Sequence, residues 1–177
     1  MTPVHDQRSD TVTDAFPHKI RLFLAAAFAA LLAACQSVPP PTGFNPAQVA
    51  MLQSQGFVET GPGWELSMPE RLLFPSNESA LPADQQQRIG EIAAKLVSVG
   101  ITTARVEGHT DSTGTSAYNL TLSQARAQAV AGPMQGSGMR FTADQIVGRG
   151  ETLPLSSNAT AEGRQDNRRV VVIVAPE

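Results

Sequence analysis

Between Thr103 and Val130 the hydrophobic period of the chain changes once, and that change limits what the chain can fold into. Thr103 to Glu107 alternates as a strand does, Gly108 breaks the run into a polar loop holding Asp111 and Gly114, and from Ser116 the pattern is helical. Strand, loop, helix is the expectation. On that helix Tyr118, Leu122, Ala125 and Ala129 recur at three- and four-residue spacing as an apolar face, with Asn119, Ser123 and Arg126 on a polar stripe beside it. If the helix packs back along its strand, the loop carboxylate Asp111 and the helix guanidinium Arg126 face one space. Both are charged at neutral pH, and an arginine can grip a carboxylate with two parallel N–H donors. A ligand carrying both an ammonium and a carboxylate, such as an amino-acid group, would then be held at both ends.

The remaining elements supply something to pack on. Pro82 opens a helix in which Ile89, Ile92, Ala93, Leu96 and Val97 form a core stripe, with a stop at Gly100. After a Gly61-Pro62-Gly63 turn, Trp64 to Met68 reads as a strand that continues to Phe74. Phe141 to Gln145 reads as a capped turn, Ile146 to Arg149 as a short strand, Gly150 to Thr160 as a loop and Ala161 to Asn167 as a short helix. The apolar strand Arg168 to Val174 is expected near the centre of the sheet. Gly132-Pro133 falls inside the central helix, and a proline there has no N–H for the Ala129 carbonyl and clashes with it, so the helix is expected to end or kink near Ala131.

Upstream, Asn45 and Pro46 read as helix cap and first helical residue, and Gly56 as the stop. The helix between them carries Val49, Met51 and Leu52; a helix shorter than about 12 residues is marginal alone in water, so it must pack on its own domain or on a partner. A movable element and a permanently docked lid are both open. Ser37 to Gly43, with Pro39-Pro40-Pro41, reads as a stiff tether. The thirteen apolar residues Leu22 to Ala34 follow His18, Lys19 and Arg21 and precede Cys35. That run is too short for a permanent membrane helix and suits a signal peptide. Residues 1–17 are long and partly acidic for the front of such a signal, as a misassigned start would be.

Charge and residue counts exclude several functions. The formal net charge of −3 argues against nucleic acid, which wants a basic surface. His109 is the one histidine after Cys35 and no cysteine lies beyond it, so no zinc site or other cofactor is expected. His109, Asp111 and Ser112 sit too close within one loop for a hydrolytic relay, and there is no phosphate-binding glycine loop. The expectation is a protein that is not an enzyme.

Gly108-His109-Thr110-Asp111, Gly114, Tyr118-Asn119, Leu122-Ser123, Arg126-Ala127 and Val130 resemble, position for position, the signature of the OmpA-like peptidoglycan-binding domain that Pal and MotB share. Gly148-Arg149-Gly150-Glu151 with Pro154, then Asn167-Arg168-Arg169-Val170, resemble the same family's later blocks, so the likeness runs from Trp64 to Val174. It implies an α/β (α+β sandwich) βαβαβ domain, with helices packed on one mixed sheet, over residues 64–177. Residues 35–63 would be a lipidated cysteine, linker and short regulatory helix, and residues 1–34 a lipoprotein signal peptide. The resemblance implies that Asp111 and Arg126 bind the diaminopimelate side chain of a peptidoglycan stem peptide, with Asn77, Gly114, Asn119 and Arg168 around them. Asn77 reads equally as an ordinary capping or turn asparagine. Arg168 and Arg169 either touch the ligand or pair internally with Asp111, Glu107 or Asp166, with support of a binding carboxylate the favoured role. His109 would shape the loop.

Leu32-Ala33-Ala34-Cys35 resembles a lipobox, which implies a lipidated Cys35, and Gln36 fits sorting to the outer membrane, with the domain facing the periplasm. Tether, short helix and the block Gly63-Trp64-Glu65-Leu66-Ser67-Met68-Pro69-Glu70-Arg71-Leu72-Leu73-Phe74 are similar to a signalling branch of the family. Its members capture a periplasmic repressor and so release an inner-membrane diguanylate cyclase. Val49, Leu52, Phe57 and Trp64 would be the partner-binding residues here. The alternative is a Pal-like structural tether between outer membrane and wall, and a homodimer is compatible with either.

Overall fold

The structure, a computed structural model, describes residues 43–176 apart from residues 62, 76 and 77. Cys35 with its lipobox, the proline tether and Asn77 lie outside the described residues.

Helix α1 (Pro46–Ser54) starts on a reciprocal cap: the Asn45 side chain accepts from the Gln48 N–H at 2.9 Å, and the Gln48 side chain accepts from the Asn45 N–H at 3.0 Å. Its Leu52 is fully buried, and Phe57 just after it is buried too. Strands β1 (Val58–Thr60) and β2 (Gly63–Pro69) form an antiparallel pair, followed by α2 (Glu70–Leu73) and the long α3 (Ala83–Ser98). Then come β3 (Arg105–His109), α4 (Ser116–Gly136), a 3-10 turn (Ala143–Gln145), β4 (Ile146–Gly150), α5 (Ala161–Asn167) and β5 (Arg169–Val174).

The five strands make one mixed sheet in the order β1-β2-β5-β3-β4. β3 and β4 run parallel, and the other neighbours are antiparallel. β5 lies at the centre, as its unbroken apolar run implied. Its Val170, Val172 and Val174 join the core with Trp64 and Val106 and with Ile89, Ala93 and Leu96 of α3. The alternate residues Arg169, Val171 and Ile173 face the other side of the sheet.

Three expectations need correction. The strand through Trp64 does not continue to Phe74 but stops at Pro69, and α2 takes its place. There the Glu70 N–H donates to the Arg168 carbonyl at 3.0 Å, and the Phe74 N–H donates back to the Glu70 carbonyl at 2.9 Å, the i to i−4 bond that closes a helical turn. Of the end or kink expected near Ala131, an end is ruled out, since the central helix continues through Pro133 to Gly136. Val130, Ala131 and Met134 are buried along that turn, so core packing outweighs the bond lost at the Ala129 carbonyl.

The third concerns the face that α4 buries. Tyr118, assigned to the apolar face, is 57% exposed, whereas Asn119, Ser123 and Arg126 of the polar stripe are buried. The strands beneath explain this. A Cβ on Gly108 would collide with the Ser123 carbonyl, and one on Gly148 would lie 2.8 Å from the Leu120 carbonyl oxygen, so helix backbone rests directly on strand backbone. Ser123, with its short side chain, sits at that contact, and the polar groups around it are satisfied. Ser123 Oγ accepts from the Gly150 N–H at 2.9 Å, while the Gln124 amide donates to the Ile146 carbonyl and accepts from the Gly148 N–H, occupying the outer edge of β4.

Candidate functional site

A cleft of about 450 Å³ opens where α2, the loop after β3, the first turns of α4 and the short helix α5 meet. Asp111, Asn119, Arg126 and Arg168 all line it, so four of the residues singled out in the sequence are brought together.

Asp111 is positioned by its own loop. The Thr113 N–H donates to Oδ1 at 2.8 Å, and Arg168 Nη1 donates to Oδ2 at 2.5 Å. Burial alone would raise the Asp111 pKa, but the Thr113 and Arg168 bonds outweigh it and hold the carboxyl below the usual aspartate range. Asn119 acts behind this residue: its Nδ2 donates to the Asp111 backbone carbonyl at 3.2 Å and to Glu151. Glu151 also accepts from Ser116 Oγ at 2.8 Å, and Thr115 caps α4 through the Tyr118 N–H, so loop and helix start are tied together. Gly114 lies within this loop, where a Cβ would sit 3.6 Å from the Tyr118 ring.

Arg126 is 3% exposed and held from three sides. Its Nη2 donates to Glu70 Oε1 at 2.6 Å, its Nε and Nη2 reach the Glu78 carbonyl at 3.3 and 3.1 Å, and its guanidinium carbon lies 5.3 Å from the centre of the Phe74 ring. Nη1 has no hydrogen-bond partner among the described residues. Arg168 Nε lies 3.1 Å from Glu70 Oε2, close enough for an ion pair but not aligned as a hydrogen bond. The cleft floor is therefore a chain of alternating charge: Asp111, Arg168, Glu70, Arg126. Of the two roles open for Arg168, internal pairing with Asp111 is the one seen.

His109 stands apart from this chain. Gly108 packs on α4, so its strand neighbours Glu107 and His109 point to the other side of the sheet. There His109 Nε2 lies 3.7 Å from Glu107 Oε2, and Arg149 donates to Glu107 at 2.5 Å. Burial first, then the Arg169 cation, push the His109 pKa down to about 4 against the pull of Glu107. A neutral histidine facing away from an aspartate already bonded to Thr113 and Arg168 forms no relay with it. The arrangement is suited to holding charge rather than to moving protons.

The residues assigned to a partner surface lie together at the docked α1. Leu52, Phe57 and Trp64 are buried in the core and Val49 is half-buried, so they are neighbours in one cluster but do not form an exposed patch. The residue missed in the sequence is Glu70, which joins both arginines of the cleft. It lies 56 positions from Arg126, and the strand assigned across it concealed its role. Phe74 and Thr113 were missed for the same lack of local signal.

A family model described as the OmpA family matches residues 73–168, which span this cleft. The chain is 40% identical over 162 residues to the outer-membrane lipoprotein YfiB of Pseudomonas aeruginosa, covering 90% of this chain and 96% of that protein. It is 42% identical over 145 residues to the putative lipoprotein YfiB of Escherichia coli, covering 81% and 89%. Among solved structures, the cell wall anchor of the T6SS from Pseudomonas aeruginosa superposes with a TM-score of 0.57 at 31% identity, over 74% of this chain and 95% of that one. By the family match and by relatives that share most of its length, the chain is a non-catalytic member of the OmpA family.

Proposed function

We propose that this chain is an outer-membrane lipoprotein, anchored through Cys35, whose cleft takes the diaminopimelate group of a peptidoglycan stem peptide between Asp111 and Arg126. The observation that carries the reading is unused capacity of opposite sign on one cleft. Each Asp111 oxygen accepts one hydrogen bond and keeps a lone pair for an ammonium, while Arg126 Nη1 keeps two N–H donors for a carboxylate. The protein's own pairs hold both groups in place before a ligand arrives, which lowers the ordering cost of binding. Gly114, Asn119 and Arg168 act behind them by shaping the Asp111 loop, and Asn77 is proposed as a further contact.

The same proposal extends to a YfiB-type regulatory role, in which the protein captures a YfiR-type periplasmic repressor and thereby releases an inner-membrane diguanylate cyclase. The likeness to YfiB lipoproteins over most of the chain supports it. Because Leu52 and Phe57 are core residues when α1 is docked, capture through Val49, Leu52, Phe57 and Trp64 requires α1 to leave the domain. The polar tie that would break is the bond from Lys95 Nζ to Gln55 Oε1 at 3.3 Å.

Pulldown of residues 36–177 on purified peptidoglycan, with Asp111→Ala and Arg126→Ala beside it and a YfiR-type protein present or absent, tests both parts. Loss of wall binding in both variants, with capture of the repressor by the wild type, is expected. Undiminished wall binding in either variant would refute the cleft assignment. Wall binding without capture would leave a plain tether between membrane and wall.

A further inference from the structure

We infer that the cleft recognises a second, free carboxylate on its ligand through Arg71 and Arg164, and so distinguishes an acidic stem peptide from one whose side carboxylate is amidated. This rests on the stem-peptide reading above and specifies its chemistry.

The inference comes from the charge balance of the cleft wall. Two acids line it, Glu70 and Asp111, and four arginines, Arg71, Arg126, Arg164 and Arg168. The acids are matched by Arg126 and Arg168. Arg71 on α2 and Arg164 on α5 have no acidic partner among the described residues. Arg164 Nη1 donates to the Asn158 carbonyl at 2.9 Å, which orients the side chain without neutralising it. Glu162 and Asp166 border a neighbouring hollow with Arg71 but form no ion pair with it or with Arg164 among the described residues, and the chain as a whole is negative, at −3, so the two guanidiniums are not part of a generally basic chain.

An amino-acid group with one ammonium and one carboxylate adds no net charge and leaves two cations unmatched. A peptide with a further free carboxylate cancels one of them, and the planar guanidinium suits that group. In a stem peptide such a group exists wherever an acidic residue is linked through its side chain and keeps its α-carboxylate. Amidation removes the charge while leaving size and shape almost unchanged.

Calorimetry on the full chain in detergent, with synthetic L-Ala-γ-D-Glu-diaminopimelate and the same peptide amidated at the glutamate α-carboxylate, tests this. The acid should bind about tenfold more tightly, equivalent to one charge-assisted contact. That ratio should shrink in 1 M salt, where the screening length falls to about 3 Å. In Arg71→Gln with Arg164→Gln the ratio should approach one. Arg71→Gln alone, at an exposed position that ties down nothing else, should lower it partway. Equal binding of the two peptides by the wild type, or an undiminished ratio in the double variant, would overturn the inference while the stem-peptide reading stood. Binding of neither peptide would overturn that reading and the inference with it.

Discussion

Arg126 Nη2 lies 2.6 Å from Glu70 Oε1, an ion pair between two residues lining the cleft that ties the middle of α4 to the start of α2. The arginine is almost wholly buried, and the acid's side chain is 15% exposed. Glu70→Gln therefore leaves a buried cation without its counter-charge. Breaking a buried pair costs about 3–5 kcal/mol; the low end, about 3 kcal/mol, is expected because the Glu78 carbonyl and the Phe74 ring still hold Arg126. Urea unfolding should show the loss as a lower midpoint at unchanged slope. A variant as stable as wild type would mean that the pair does not carry the cleft.

His109 makes stability depend on pH in a defined window. Its folded pKa is about 4 and its unfolded value about 6.5, so between those values the unfolded state binds the extra proton. Stability should be full above pH 6.5, fall as pH drops through the window, and lose up to about 3 kcal/mol by pH 4. Asp111 and Glu107, both held below their ordinary pKa values, add losses that begin at the usual carboxylate range and grow as pH falls further, so they overlap only the low end of this window. Unfolding of His109→Gln at pH 7, 6, 5 and 4.5 should show that slope removed. The same slope in variant and wild type would assign it elsewhere.

Gly108→Ala tests the contact that turned α4 to bury its polar stripe. The new methyl would meet the Ser123 backbone rather than a flexible side-chain end, so helix or strand must shift. The cost should reach or exceed the upper end of the about 1–3 kcal/mol typical of overpacking. Wall binding should weaken too, because Asp111 and Arg126 sit on the two elements forced apart. A folded variant with full stability would contradict the close approach.

The residues that meet in the cleft were legible where chemistry and spacing coincide. Asp111 and Arg126 were paired from a loop and a helix face, and the central place of β5 followed from an unbroken apolar run. What escaped was decided by partners far away in the chain. Hydrophobicity ranks Tyr118 above Ser123, yet Gly108 and Gly148 determine which of the two can lie against the sheet. Glu70 sits among apolar residues that mimic a strand, and its meaning depends on an arginine 56 positions later.

Pro133 is the place where local rule and tertiary packing oppose each other. The helix runs on past it, with the Ser137 N–H donating to the Pro133 carbonyl at 3.2 Å, although no N–H serves the Ala129 carbonyl. Pro133→Ala restores that donor and removes the ring. An interior proline costs about 3 kcal/mol, but this one lies one turn from the helix end, where fraying already relieves part of the strain. A gain of about 1–2 kcal/mol is expected, raising Tm by about 3–8 °C for a domain of this size. Against it stands the stiffness that proline gives the unfolded chain, worth up to about 1 kcal/mol. Gly132→Ala, with open space around its Cβ position, serves as the reference because it changes helix propensity alone, by about 1 kcal/mol. If Pro133→Ala gained less than Gly132→Ala, the strain at the Ala129 carbonyl would be negligible, and Met134 would be seated in the core at no cost to the helix.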